Sequence, residues 1–199
     1  MIDKVILDTD GVIIQREMYF SERLSKELNI SLDLVLPFFK LEFKDCLIGR
    51  LDTKVALDKY IGSWGWKGSV EQLLQFWFQN ESNIDSRVLE VVEMLKSKGR
   101  QCYLDTNNEK YRTAYLRNDL GLGKVFTEIF SSSAVGYAKP AMEFWAAIYQ
   151  QLGKPATSSV LVWDDEEETV KSARDFGFQA ELYTGFKEFE VFMKSRKLL

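Results

Sequence analysis

At 199 residues, with 46% hydrophobic and 14% aromatic side chains, the chain is long enough to close one sizeable core with a modest insertion. Its 28% charged content and net charge of −4 exclude a disordered chain and give no general attraction to nucleic acid or anionic lipid. The absence of histidine excludes a Ser-His-Asp or Cys-His machine and a His-ligated zinc, so any catalysis rests on carboxylates, lysine or hydroxyls.

The N-terminal stretch Met1 to Asp8 carries acids where a secretion signal needs an apolar run, and no 18 consecutive apolar residues occur, so a cytoplasmic location is expected. Cys46 and Cys102 stand far apart, and Cys102 lies in apolar sequence, as expected of thiols in a reducing compartment. Val5, Ile6 and Leu7 predict a buried strand that stops at Asp8-Thr9-Asp10-Gly11, where glycine permits a turn. Between Gln15 and Asn83 the apolar positions recur at helical spacing, which predicts an all-helical insertion over residues 15–84. Its many rings predict a small bundle core, with Trp64 or Trp66 as the aromatic residues to face a substrate cleft.

From Ile84 onward strand and helix alternate, so residues 1–14 and 85–199 form the core domain. Ser86 to Lys98 places Val88, Val91, Val92 and Leu95 on one helical face, with Asp85 or Ser86 as cap and Gly99 beyond the end. Gln101 to Leu104 is a strand, Lys110 to Leu120 a polar helix, and Val125 to Phe130 another strand. Pro140 suits the first turn of a helix carrying Phe144, Ile148 and Leu152. Ser159 to Trp163 is a strand, Glu166 to Phe176 a helix ending at Gly177, and Gln179 to Tyr183 a strand before the last helix. Five strands with intervening helices predict a doubly wound, mostly parallel α/β sheet.

In such a sheet ligands collect at the carboxyl ends of the strands. Four segments deliver polar residues there: Asp8 and Asp10; Asp105, Thr106 and Asn107; Lys139; and Asp164 with Asp165. Each alone reads as a turn, a cap or a helix-terminal charge. Their joint occurrence at successive strand ends points to one chemical site.

These four loops resemble those of the haloacid dehalogenase superfamily over nearly the whole chain. The stretch Glu42 to Gly49, Lys139-Pro140, and Asp164-Asp165 with Ala173 and Gly177 look most like the sugar-phosphate phosphatase branch related to glucose-1-phosphate phosphatases and epoxide-hydrolase N-terminal domains. The resemblance implies a Rossmann-like core with a helical cap that closes over the site. It implies Asp8 as nucleophile, Asp10 as acid and base, and Mg²⁺ held by Asp8, Asp165, Asp164 and the Asp10 backbone carbonyl. Gly11, Thr106, Asn107 and Lys139 would meet the substrate phosphate. The expected activity is hydrolysis of a small phosphorylated metabolite, a sugar phosphate by the branch, through an aspartyl-phosphate. A phosphomutase, or a catalytically weak binding protein of the same fold, shares these motifs, and a monomer or a homodimer fits equally.

Three departures from the family pattern stand out. Asp105 occupies a usually apolar position, and alternation along the strand turns it away from Thr106, toward solvent or a cap. Thr169 stands where Asn is frequent. Glu166 follows the acidic pair, and Glu166 to Glu168 read as a charge match to a helix N-terminus. In the insertion, Arg16, Lys44 and Arg50 are the basic candidates for substrate contact.

Overall fold

The computed structural model describes residues 1–199. Strand β1 (Lys4–Asp8) leads through a tight turn into β2 (Ile14–Gln15), and helices α1 (Phe20–Leu28), α2 (Leu32–Lys40), α3 (Glu42–Leu47), α4 (Thr53–Asp58) and α5 (Val70–Asn80) follow. Strand β3 (Asn83–Ile84) returns the chain to α6 (Ser86–Ser97), β4 (Gln101–Thr106), α7 (Lys110–Asn118), α8 (Leu122–Val125), β5 (Ile129–Ser131) and α9 (Ser132–Val135). The remainder is α10 (Met142–Gln151), β6 (Val160–Asp164), α11 (Glu167–Phe176), β7 (Gln179–Leu182) and α12 (Phe186–Ser195).

The five main strands form a parallel sheet in the order β5-β4-β1-β6-β7. β1 lies at its centre, and both its faces are covered by helices, which is why it reads as an unbroken apolar run. Side-chain alternation sends Val5 and Leu7 into one core layer with Val88, Val91, Val92 and Leu95 of α6. Ile6 goes to the other, with Phe144, Trp145 and Ile148 of α10 and Val170 and Ala173 of α11. The cap of α6 is Asp85, whose carboxylate accepts the Arg87 backbone N–H at 3.1 Å.

Three local expectations shift. α7 stops at Asn118, and Gly121, in the left-handed region, turns the chain into the single helical turn α8. The following strand is therefore confined to Ile129–Ser131. Pro140 does not open α10, which begins at Met142 behind Ala141; the Lys139–Pro140 peptide is cis. Upstream, the Asn107 side chain accepts the Lys139 N–H at 2.8 Å and donates to the Lys139 carbonyl at 3.0 Å. That clamp holds Lys139 outside any helix.

The segment between β2 and β3 packs α1 to α5 around a core of its own that includes Phe20, Leu24, Phe38, Leu73 and Trp77. β2 and β3 pair antiparallel, Ile14 with Ile84 and Gln15 with Asn83, a ribbon too short for its pattern to show in sequence. Trp64 is 0% exposed, and its indole N–H donates to the Leu34 carbonyl at 2.9 Å. Trp66 donates to the Ser69 carbonyl and packs beside Phe76. Neither indole faces a cleft; both complete the helical core.

Both cysteines are free and buried, and burial pushes the Cys102 thiol up to about 12 and the Cys46 thiol up as well. A disulfide thiol reagent at about pH 8 is expected to modify neither in the native protein and both in denaturant. Rapid modification of the native protein would contradict this packing.

Candidate active site

Register brings the acids together. Parallel pairing of Asp8 with Asp105 puts both side chains on the same side of the sheet, and Leu7 pairs with Trp163, so Asp164 lies next to Asp8 across β6. Lys139 reaches in from the loop between α9 and α10. Its ammonium donates to Asp8 Oδ1 at 2.7 Å, Asp105 Oδ1 at 3.0 Å and Asp164 Oδ2 at 2.7 Å. Asp164 Oδ1 accepts the Glu166 N–H at 2.9 Å, which anchors it at the head of α11.

Asp105 is 0% exposed, so the expectation of a solvent or capping role is wrong. Alternation along β4 does turn Asp105 away from Thr106, but the face it turns to is the one that Asp8 and Lys139 occupy. The available signal was that Asp8 and Asp105 both sit near the ends of strands that become parallel neighbours.

Three buried carboxylates around one ammonium leave an excess of negative charge. Burial pushes the Asp8 carboxyl well up, against the pull of Lys139 and with the push of Asp164 and Asp105. Burial likewise lifts Asp105 to about 6, opposed by Lys139 and reinforced by Asp164. For Lys139, burial works against the charge, but Asp105, Asp8 and Asp164 together outweigh it and hold the ammonium well above its usual range. Asp165, at the rim, is raised by burial and by Asp164. Only glycine fits at position 11: its φ is +99°, and a Cβ there would lie 2.1 Å from Asp165 Oδ2. Gly11 thus makes room for a carboxylate.

Asp8, Asp10, Asp164, Asp165 and Glu166 meet Lys139, Arg16, Thr106 and Asn107 around a cavity of about 140 Å³ that no apolar side chain lines. One carboxylate oxygen each from Asp8, Asp164 and Asp165 lie within 4.8 Å of one another, an all-oxygen donor set suited to a hard divalent cation. The side-chain amide of Asn107 is engaged at both atoms with the Lys139 backbone, so it positions the lysine. Glu166 lines the cavity, whereas only Glu167 and Glu168 lie in the first turn of α11. Thr169 is buried and its hydroxyl faces Glu166 Oε2 at 3.4 Å. Of the basic residues in the insertion, Arg16 reaches this cavity; Lys44 and Arg50 are exposed and do not line it.

A second group was not foreseen. Asp10 Oδ2 accepts from the Asn108 amide at 2.8 Å, and Oδ1, with no hydrogen bond, lies 3.7 Å from the Arg112 guanidinium. Asn108 also donates to the Thr106 hydroxyl. Arg112 is only 3% exposed and donates to the carbonyls of Phe78 and Glu81, joining α7 to the end of α5. Within the polar helix α7 its sequence reads as solvated surface; only the fold turns it inward.

A family model for haloacid dehalogenase-like hydrolases matches residues 2–181. The chain belongs to this family. Solved structures of similar fold include a haloacid dehalogenase family enzyme from Bacteroides thetaiotaomicron, in complex with magnesium and inorganic phosphate. It is 19% identical, with a TM-score of 0.80 over 96% of this chain and 100% of that one. A predicted hydrolase of the same family from Porphyromonas gingivalis is 17% identical, with a TM-score of 0.80 over 99% and 98% of the two chains. The L-2-haloacid dehalogenase of Xanthobacter autotrophicus is 17% identical, with a TM-score of 0.64 over 99% and 83%. At these identities the likeness is one of fold. No curated protein matches the chain. As a haloacid dehalogenase-like hydrolase it places its strand-end aspartates where the fold gathers them, and no helix is long and apolar enough to cross a membrane.

Proposed function

We propose that this hydrolase is a Mg²⁺-dependent phosphatase that cleaves a small phosphorylated metabolite through an aspartyl-phosphate on Asp8. The observation that carries the reading is Asp10: a second carboxyl two residues after Asp8 lines the same cavity, oriented by the Asn108 amide on Oδ2 and by Arg112 beside Oδ1. A halide leaves without a proton, whereas an alkoxide needs one, so an acid at this position favours phosphoryl transfer over dehalogenation.

Asp8 Oδ1 is held by Lys139, which leaves Oδ2 to attack phosphorus as the bond to the leaving oxygen breaks. Asp10 gives its proton to that oxygen, then takes one from the water that attacks phosphorus, releasing phosphate and restoring the Asp8 carboxylate. Lys139 balances charge on the transferring group, and the Thr106 hydroxyl and loop amides donate to its oxygens. Asp8, Asp165 and Asp164 would hold Mg²⁺ together with the Asp10 carbonyl, and the bound ion would neutralise part of the phosphoryl charge. The magnesium and phosphate in the Bacteroides structure support this assignment. The loop motifs on their own suggest the sugar-phosphate class. A phosphomutase would make the same intermediate and pass it to a second hydroxyl.

With acetyl phosphate as donor, phosphate release that depends on Mg²⁺ and stops on chelation is expected. Mg²⁺ at about 100 times its dissociation constant adds ~2.7 kcal/mol to stability, roughly 5–10 °C in melting temperature for a chain of this size. Release that survives complete chelation, or a melting temperature indifferent to Mg²⁺, would refute the metal assignment.

A further inference from the structure

A second cavity, of about 300 Å³, shares Asp10, Arg16 and Asn107 with the catalytic one. An ester whose phosphorus sits at Asp8 therefore has its leaving group in this chamber; this step rests on the phosphatase reading above. Its walls are rings: Tyr19, Phe20, Phe39, Phe43 and Trp77. Phe39, Phe43 and Trp77 form a cup, with centroids 5.4 Å apart for Phe39–Phe43, 5.5 Å for Phe39–Trp77 and 5.3 Å for Phe43–Trp77.

The polar atoms of the chamber are mostly engaged already. Glu81 accepts the Phe20 N–H at 3.1 Å and the Trp77 indole N–H at 2.9 Å. Asn108 is held by Asp10 and Thr106, and Asn107 by the Lys139 backbone. There remain the Tyr19 and Ser21 hydroxyls, the Asn108 side-chain carbonyl and the Arg16 guanidinium, which lies 4.3 Å from the Tyr19 ring centroid. A polyol would turn several hydroxyls against ring surface, and each one buried there without a partner is unfavourable. A flat apolar group loses nothing there and meets ring faces and edges. We infer that the leaving group is aromatic, an aryl or arylalkyl alcohol, with Arg16 set at the junction to steer the phosphate end toward Asp8.

The test compares phenethyl phosphate with glucose-6-phosphate. Both are esters of primary alcohols, so their intrinsic reactivities are similar and the ratio of kcat/KM reports the chamber. Phenethyl phosphate is expected to be favoured at least about tenfold, within the range that an apolar pocket can discriminate. Phe39→Leu and Phe43→Leu should each shrink that ratio severalfold. A ratio taken on one protein sample is insensitive to any loss of folded material. In Asp8→Asn with Mg²⁺, calorimetric dissociation constants for the same two esters should show the same order without turnover. Equal or reversed preference in turnover or in binding, or a ratio unmoved in both leucine variants, overturns the inference. Failure of the phosphatase reading looks different: neither ester nor acetyl phosphate releases phosphate, while the binding order still decides the chemistry of the chamber.

Discussion

Asp8→Asn is expected to lower phosphate release by at least about 10⁴-fold while raising the stability of the metal-free protein at pH 7. A carboxamide cannot act as the nucleophile, so the covalent route closes and only positioning and charge remain. The gain in stability has a separate origin. Asp8 is 7% exposed and is one of three carboxylates on a single ammonium. Because burial raises its pKa in the folded state, the native protein holds this proton more tightly than the unfolded chain does. Stability therefore falls as pH rises above the unfolded value near 4, and Asn removes that loss. Urea unfolding in chelator at about pH 5 and pH 7 checks the point: the wild type should lose stability between the two, and Asp8→Asn should lose less. Identical pH slopes would refute the electrostatic account.

Lys139→Met is expected to do the reverse, costing about 3–5 kcal/mol at pH 7 by leaving three buried carboxylates with no counter-charge. Domains of this kind have only about 5–15 kcal/mol in total, so the variant stands near the edge of unfolding. The deficit should shrink at low pH, where the carboxylates take up protons. It should shrink also with Mg²⁺, which would neutralise part of the same cluster. Urea midpoints across these conditions provide the measurement, and a deficit below about 1 kcal/mol at pH 7 would mean that Lys139 is not the principal counter-charge. Turnover should be lost even where the protein is folded, because the ammonium that fixes Asp8 Oδ1 is gone.

Local pattern was enough for much of this fold. The unbroken run Val5 to Leu7 betrayed a strand covered on both faces, and Val88, Val91, Val92 and Leu95 betrayed the inward side of α6. What escaped depends on contacts between distant segments. Asn107 and Lys139 are 32 positions apart, yet the side chain of one clamps the backbone of the other just ahead of α10. Asp105 and Arg112 are buried by neighbours that no window along the chain contains. The sequence singles out Trp64 and Trp66 as cleft residues, but ring exposure is set by how the five helices pack, and that arrangement gives the chamber to Phe39, Phe43 and Trp77. The strand-end acids and Lys139 were visible as residues; their shared ammonium contacts required the sheet register.

The ribbon of Ile14–Gln15 with Asn83–Ile84 places the exit and re-entry of the polypeptide side by side. A different roof can thus be grafted onto this sheet through one pair of adjacent junctions, without altering the backbone that carries Asp8 and Asp10. Under the proposed function, such a layout would let the segment between residues 15 and 83 change what reaches the aspartates while the strands that carry them stay fixed.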